Sequence, residues 1–287
     1  MTLPAEARML LDMALAEDVG SGDRTTLWTF PAGTPGEAAI VAKAPGVIAG
    51  MKVCVAAFHA VDPSLEVEAL AADGAEVEPG DVVLRARGAA ASILTAERTA
   101  LNFLQQLSGV ATETRRYVRA VAGTGARVID TRKTTPGMRH LEKEAVRAGG
   151  GANHRFGLHD MVLIKDNHIA AAGGITAAVE AVRRHNVERL RVEVETTTPE
   201  EVEEALGAGV DRIMFDNMPV PLLARMVERV HAAGGARPET EASGGVTLET
   251  IRPVAETGVD FISVGALTHS APALDLSLRL VQGRAAG

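Results

Sequence analysis

Beyond residue 126 the chain repeats one unit: a short apolar run, a polar loop, then a helical pattern. Candidate strands fall at 127–130, 161–164, 190–195, 212–215, 239–242 (the weakest) and 261–265. Helical patterns lie between and after them at 138–147, 175–185, 199–206, 220–232 and 248–256. Strands that alternate with helices imply parallel βα units. A complete eightfold barrel usually takes about 250 residues. Only about six units fit in this span, so the expected fold is α/β, an incomplete or distorted barrel.

The ends of those strands carry the chemistry. In order they present Asp130, Arg132 and Lys133; Lys165, Asp166 and His168; Glu193 and Glu195; Asp216 and Asn217; Ser243, Gly244 and Gly245; and Gly265. In a parallel βα barrel every strand C-terminus opens onto one rim, where active sites form. Polar, titratable or glycine residues at nearly every end therefore predict a functional rim. Ser243-Gly244-Gly245 and Gly265 also suit a phosphate, because glycine lets backbone N–H groups approach an anion and the last two βα loops of such barrels are a frequent phosphate site. A helix starting at Leu248 would add a favourable dipole. Glu195 and Asp216, on neighbouring strands, supply the oxygen ligands that Mg²⁺ uses together with substrate phosphate; a salt-bridge network is the plain alternative.

Charge distribution narrows the ligand. Residues 128–169 hold seven Lys/Arg against five Asp/Glu, net +2, whereas the rest of the chain carries 22 − 32 = −10. Three of the five lysines (Lys133, Lys143, Lys165) and four of the eight histidines also fall there. The cations follow separate apolar runs and a triple-glycine turn, which reads as several loops converging on an anionic ligand. A nucleic-acid surface would need a basic face across the domain. Cys54 is the only cysteine, so an internal disulfide or a metal–thiolate centre is excluded and a reducing compartment is expected. The N-terminus lacks a signal-peptide pattern, and no apolar run reaches about 18 residues, so a cytoplasmic location is expected. No HxxH or HExxH spacing suggests zinc. His154 and His168 adjoin rim positions and are candidates, while His140, His159 and His185 are assigned nothing.

The first third reads as a supporting α+β domain. An amphipathic helix is expected over 4–18, short strands cut by Gly or Pro over 37–88, and a helix over 51–60 among them. The loop over 17–26 reads as a connector. Residues 91–107 predict a further helix, with Glu97 inside its apolar arc and Arg98 at the edge. A charged pair on a packing face is costly unless each member finds a partner. Either the two pair at an interface, or Arg98 reaches an anion, across a subunit boundary if need be.

Several long motifs now stand in order: EDVGSGDRTT, AERTALNFLQQLSGVAT, DTRKTTPGMR, EKEAVRAGGGANHRFGLHDMVLIKDNH, VEVET, FDNM, EASGGV and VGALTHSA. Together they make nearly the whole chain resemble the quinolinate phosphoribosyltransferase family. The resemblance implies an N-terminal α+β domain (1–112, joined by the tail 273–287) and a seven-stranded barrel-like domain (113–272). It implies transfer of the phosphoribosyl group of phosphoribosyl pyrophosphate to quinolinate with decarboxylation, in a homodimer with a shared site and a hexamer of dimers as a larger form. By resemblance Arg98 serves the partner's site, and Arg132, Arg155, Lys165 and His154 bind the two quinolinate carboxylates, with His168 beside them. Lys133 contacts substrate and pyrophosphate; Glu195 and Asp216 face the ribose hydroxyls and Mg²⁺; Ser243, Gly244, Gly245 and Gly265 surround the 5′-phosphate. Met138 and His159 depart from the family pattern and leave substrate choice slightly open. The alternatives are a phosphoribosyltransferase of the same fold acting on nicotinate or another aromatic acid, a Schiff-base aldolase using Lys165, and a metabolite-binding regulator.

Overall fold

The computed structural model describes residues 3–31, 33–234 and 237–281. Along the chain come α1 (Ala5–Val19), α2 (Arg24–Thr29), β1 (Pro35–Ala42), β2 (Gly46–Val47), α3 (Met51–Val61), β3 (Glu66–Ala69), β4 (Glu76–Val77), β5 (Val82–Ala89) and α4 (Ala90–Ala120). The βα repeat follows: β6 (Arg127–Ile129), α5 (Arg139–Ala148), β7 (Val162–Ile164), α6 (Asp166–Ala172), α7 (Ile175–His185), β8 (Val192–Thr196), α8 (Pro199–Ala208), β9 (Arg212–Asp216), α9 (Val220–His231), β10 (Glu239–Ser243), α10 (Ile251–Ala255), β11 (Phe261–Ser263) and α11 (Ala266–His269). β12 (Leu276–Val281) closes the order.

Two compact units result. One gathers the described residues of Met1–Arg115, Thr134–Gly150 and Leu267–Gly287, and the other those of Arg116–Lys133 and Gly151–Ala266. The expected division placed 134–150 with the barrel, but contacts join this segment to the first unit. There α5 meets α1, and the Arg115 guanidinium donates from Nε to Gly149 O at 2.9 Å. The first unit carries the antiparallel sheet β12-β1-β5-β3, so the C-terminal strand completes a sheet begun at residue 35. Inside it Ile40, Ile48, Phe58, Leu84, Ile93 and Leu104 are fully buried, an aliphatic core for a chain with only 3% aromatics.

The second unit holds one parallel sheet in the order β6-β11-β10-β9-β8-β7. All six strands stand where the apolar runs placed them. The seven strands implied by resemblance are six among the described residues, plus a single parallel bridge from Ile129 to Ala152. The ladder stops there because Asp130 accepts from Asn153 Nδ2 and from His154 N, using side-chain bonds where backbone pairs would continue. Along β8 to β10 the side chains alternate. Val194, Ile213, Phe215 and Ala242 are buried on one face, and α8, α9 and α10 contact these strands and β11. The other face is polar: register sets Glu193 opposite Arg212 and Arg212 opposite Glu239.

At the start of β11, Asp260 accepts from both Arg237 Nη atoms at 2.7 and 2.8 Å, and from Thr240 N and Oγ1 at 2.8 Å each. Burial opposes its ionisation, but the Arg237 and Thr240 bonds outweigh it and hold the carboxyl down at about 2. A depressed folded-state value gives stability that is full above the ordinary aspartate range and disappears as pH falls through about 2. Asp260→Asn should therefore cost on the order of 1 kcal/mol at neutral pH after solvent screening. Urea titrations should show the gap from the parent closing between pH 4 and 2; a gap independent of pH would contradict the assignment.

Candidate active site

The first loop of the rim is organised by Asp130, fully buried beyond β6. Its Oδ1 accepts from His154 N at 2.9 Å and its Oδ2 from Asn153 Nδ2 at 2.6 Å. These bonds bring residues 153–155 against the end of β6 and so bring Arg155 towards Arg132. Arg155 donates from Nη1 to Met161 O at 3.2 Å. Burial lowers its pKa, and the neighbouring Arg132 lowers it further, against the opposing pull of Glu193 and Asp160. Two guanidinium groups close enough to repel suit a ligand that brings negative charge.

Along the adjoining strands the rim sets one cation beside two carboxylates. Lys165 Nζ lies 2.5 Å from Glu195 Oε2, across the β7–β8 pair. Lys165 is also the N-cap of α6, a helix that periodicity did not predict; His168 Nδ1 accepts from Lys165 N at 3.0 Å. His168 thus braces the lysine through the backbone. Asp216, half-buried at the end of β9, accepts from Asn217 Nδ2 at 2.9 Å. Glu195 and Asp216 are hard oxygen donors on neighbouring strands, a donor set that fits Mg²⁺ with substrate oxygens filling its shell.

Asn217 adopts a left-handed backbone, φ 53, which asparagine tolerates better than most residues. Its N–H donates to Ser243 O at 2.9 Å, and a Cβ on Gly244 would collide with its side chain. The loops after β9 and β10 are therefore locked together, with Gly244 at φ 97 and Gly245 at φ 58. The expected helix from Leu248 is a correction: α10 begins at Ile251 and spans five residues. Thr247 and Thr250 instead bond each other in a tight turn, Thr247 N to Thr250 Oγ1 at 2.9 Å. The Ser243–Gly245 backbone, expected to meet a phosphate, therefore has no helix starting at Leu248 behind it.

Beneath the rim lies a polar layer, and it corrects the strand-end reading of Glu193, which lies inside β8 rather than at the rim. Glu193 and Glu241 are fully buried. His154 Nε2 sits 3.1 Å from Glu193 Oε2 and 3.5 Å from Glu241 Oε2, its side chain only 6% exposed. Burial pushes both carboxyl groups up, and Glu241 further through its proximity to Glu193. Arg212 answers them: Nη1 donates to Glu241 Oε2 at 3.0 Å and Nη2 to Glu239 Oε2 at 2.9 Å, with the guanidinium 4.2 Å from the centre of the Phe261 ring. One atom from each of His154, Glu193 and Glu241 could meet around a cation. Arg212 already occupies an oxygen of Glu241, while both Glu193 oxygens and Glu241 Oε1 form no hydrogen bond. The signal was present in the sequence: VEVET and ETEAS place glutamates two apart on strands otherwise buried.

In the other unit, Arg98 is exposed and lines a recess of about 350 Å³ with Asp18, Asp23, Arg24 and Thr95. The loop over 17–26 is more than a connector: Asp23 caps α2 by accepting from Thr26 N at 3.0 Å. Lys133 is exposed at the end of its loop, its N–H held by Thr131 Oγ1 at 3.0 Å. His140 faces Glu144 at 3.6 Å, His159 meets the Phe156 ring and His185 Nδ1 faces Ala181 O at 2.9 Å.

Fold and rim define an enzyme of the α/β-barrel class whose site handles multiply charged anions. The family model of the quinolinate phosphoribosyl transferase C-terminal domain matches residues 110–279, and that of its N-terminal domain residues 23–108. The chain belongs to the quinolinate phosphoribosyltransferase family and is a phosphoribosyltransferase. It is 47% identical over 272 residues to a probable nicotinate-nucleotide pyrophosphorylase (carboxylating) of Synechocystis, covering 95% of this chain and 92% of the relative. It is 44% identical to the corresponding Bacillus subtilis protein, covering 95% and 93%. The nicotinate-nucleotide pyrophosphorylase structure from Francisella tularensis superposes with a TM-score of 0.93 at 36% identity, covering 98% of each chain. NadC from Streptococcus pyogenes gives 0.92 at 40%, again covering 98% of each.

Gly244→Ala places a side chain at φ 97 against Asn217. Denaturant unfolding should show a loss of about 1–3 kcal/mol, with a raised KM for phosphoribosyl pyrophosphate. A variant as stable and active as the parent would separate this loop from the site.

Proposed function

We propose that this chain transfers the phosphoribosyl group of phosphoribosyl pyrophosphate to the ring nitrogen of quinolinate, releasing pyrophosphate and CO₂ and leaving nicotinate mononucleotide. Family membership supports the reaction, and the approach of Arg132 to Arg155 carries the choice of a dicarboxylate. Planar guanidinium forks grip carboxylates in two-point contacts, whereas the Lys165 ammonium acts as a point charge.

The quinolinate nitrogen attacks the anomeric carbon as the bond to pyrophosphate breaks, through an oxocarbenium-like state. Holding both reactants in line is worth up to about 7–11 kcal/mol. Lys133 balances the departing pyrophosphate, and the Ser243–Gly245 backbone and Gly265 hold the 5′-phosphate. Glu195 and Asp216 face the ribose hydroxyls and would hold Mg²⁺, which when bound supplies positive charge beside the pyrophosphate. Once the nitrogen is quaternary, the ring accepts the electron pair left as the 2-carboxylate departs as CO₂, and C2 then takes up a proton.

The site is shared in a homodimer, with Arg98 lent to the partner's quinolinate, and dimers can assemble into a hexamer. Met9, Met13, Leu27 and Trp28 are exposed on α1 and α2, an apolar surface of the kind that marks protein interfaces. Among the described residues no helix is long and apolar enough to cross a membrane, and the lone, buried Cys54 fits the reducing cytoplasm.

Quinolinate labelled in its 2-carboxylate should release labelled CO₂ only when phosphoribosyl pyrophosphate is present, and Arg155→Ala should raise the quinolinate KM by more than about tenfold. Consumption of nicotinate without gas release would transfer the activity to the monocarboxylate. Mixing Arg98→Ala with Lys165→Ala chains, each inactive alone, should restore about a quarter of the parent activity through heterodimers with one intact site. No recovery after confirmed subunit exchange would rule out sharing.

A further inference from the structure

The His154 side chain, only 6% exposed, lies against the carboxyl layer of Glu193 and Glu241. Its Nδ1 accepts from Arg155 N–H at 2.6 Å, so in a neutral ring the proton sits on Nε2. That nitrogen faces Glu193 at 3.1 Å and Glu241 at 3.5 Å. Nδ1 is thereby bonded to the backbone of Arg155, while Nε2 lies at ion-pair distance from the carboxyl layer without a hydrogen bond formed to it. Asp130 fixes the same segment from His154 N, and Met161 O fixes the far end of Arg155 from Nη1. Arg212 in turn holds Glu241 at 3.0 Å, so the layer below is itself anchored to β9.

We propose that Glu193 and Glu241 are positioning residues for the quinolinate site, aiming Arg155 through the imidazole of His154. The carboxyl pair does not touch substrate; it sets the rotation of a ring whose opposite edge holds the Arg155 peptide. Burying two carboxyl groups side by side is costly, and their return is the orientation of a guanidinium that must meet a carboxylate with both prongs. Side chains that grip reactants depend on neighbours that lock them to within about 0.5 Å, and a displacement of about 1 Å can cost two orders of magnitude. The inference rests on the proposed role of Arg155 at the quinolinate carboxylates.

Glu193→Leu keeps roughly the volume of the side chain and removes the carboxyl group that faces Nε2. It should raise the quinolinate KM about tenfold while the KM for phosphoribosyl pyrophosphate stays within about twofold, and Glu193→Gln, which still offers a carbonyl to the ring N–H, should restore the parent value. An unchanged quinolinate KM in folded Glu193→Leu, or an equal rise in both KM values, overturns the inference. If Arg155→Ala still raises the quinolinate KM in that case, the Arg155 assignment survives; if neither variant changes it, both fail. Should Glu193→Leu not fold, ¹⁵N histidine spectra of the intact protein decide. His154 protonated at Nε2 alone supports the arrangement, and a proton on Nδ1 removes it.

Discussion

The second unit depends on one ion-pair arrangement, the Arg212 guanidinium between Glu239 and Glu241 with Phe261 over its face. A parallel sheet normally has apolar side chains on both faces, because both are buried. Here register places glutamates opposite arginine on the inner face, and removing the arginine would leave buried carboxyl groups without their counter-charge, a loss of about 3–5 kcal/mol by analogy with broken buried pairs. The inner face is polar because it continues upward into the rim. β8 and β10, which bury Glu193 and Glu241, carry Glu195 and Ser243 two residues further on, and β9 between them ends in Asp216.

Much of the fold was legible in the sequence because its signals were local. Six runs of four to six residues, separated by helical periodicity, were found again as β6 to β11, three to five residues long. Short elements were not. α2, α6 and α11 are four to seven residues long, below what periodicity can distinguish from a turn, and each follows a polar residue or a glycine that read as loop. The failed expectation of a helix at Leu248 has the same origin: the Thr250 hydroxyl bonds both the N–H and the C=O of Thr247, a local alternative to helix formation. Assignment of 134–150 to the first unit depends on α1 and α5 meeting, a long-range contact that no local pattern contains.

At the site, the rim residues were readable because strand ends in such a fold share one side. The layer below was harder, since charged residues within strands look like solvent-facing positions. Glu193 and Glu241 differ from those only in what surrounds them: Val192, Val194, Thr240 and Ala242 are all buried, so no face of those strands is free for water. A glutamate with buried neighbours on both sides is the sequence mark of an internal charge network, and only its partners, Arg212 and His154, required coordinates.

The division of the chain into its two units has a further implication. The unit boundaries fall at 115/116, 133/134, 150/151 and 266/267, so the polypeptide passes from one unit to the other four times and neither is a single uninterrupted stretch. One of these passages separates Lys133 from Thr134, inside the motif DTRKTTPGMR. No single cut can liberate either half with all its pieces, and a recombination event that exchanged one half for a homologue's would have to splice at several points together. The two halves are thus bound to be inherited together.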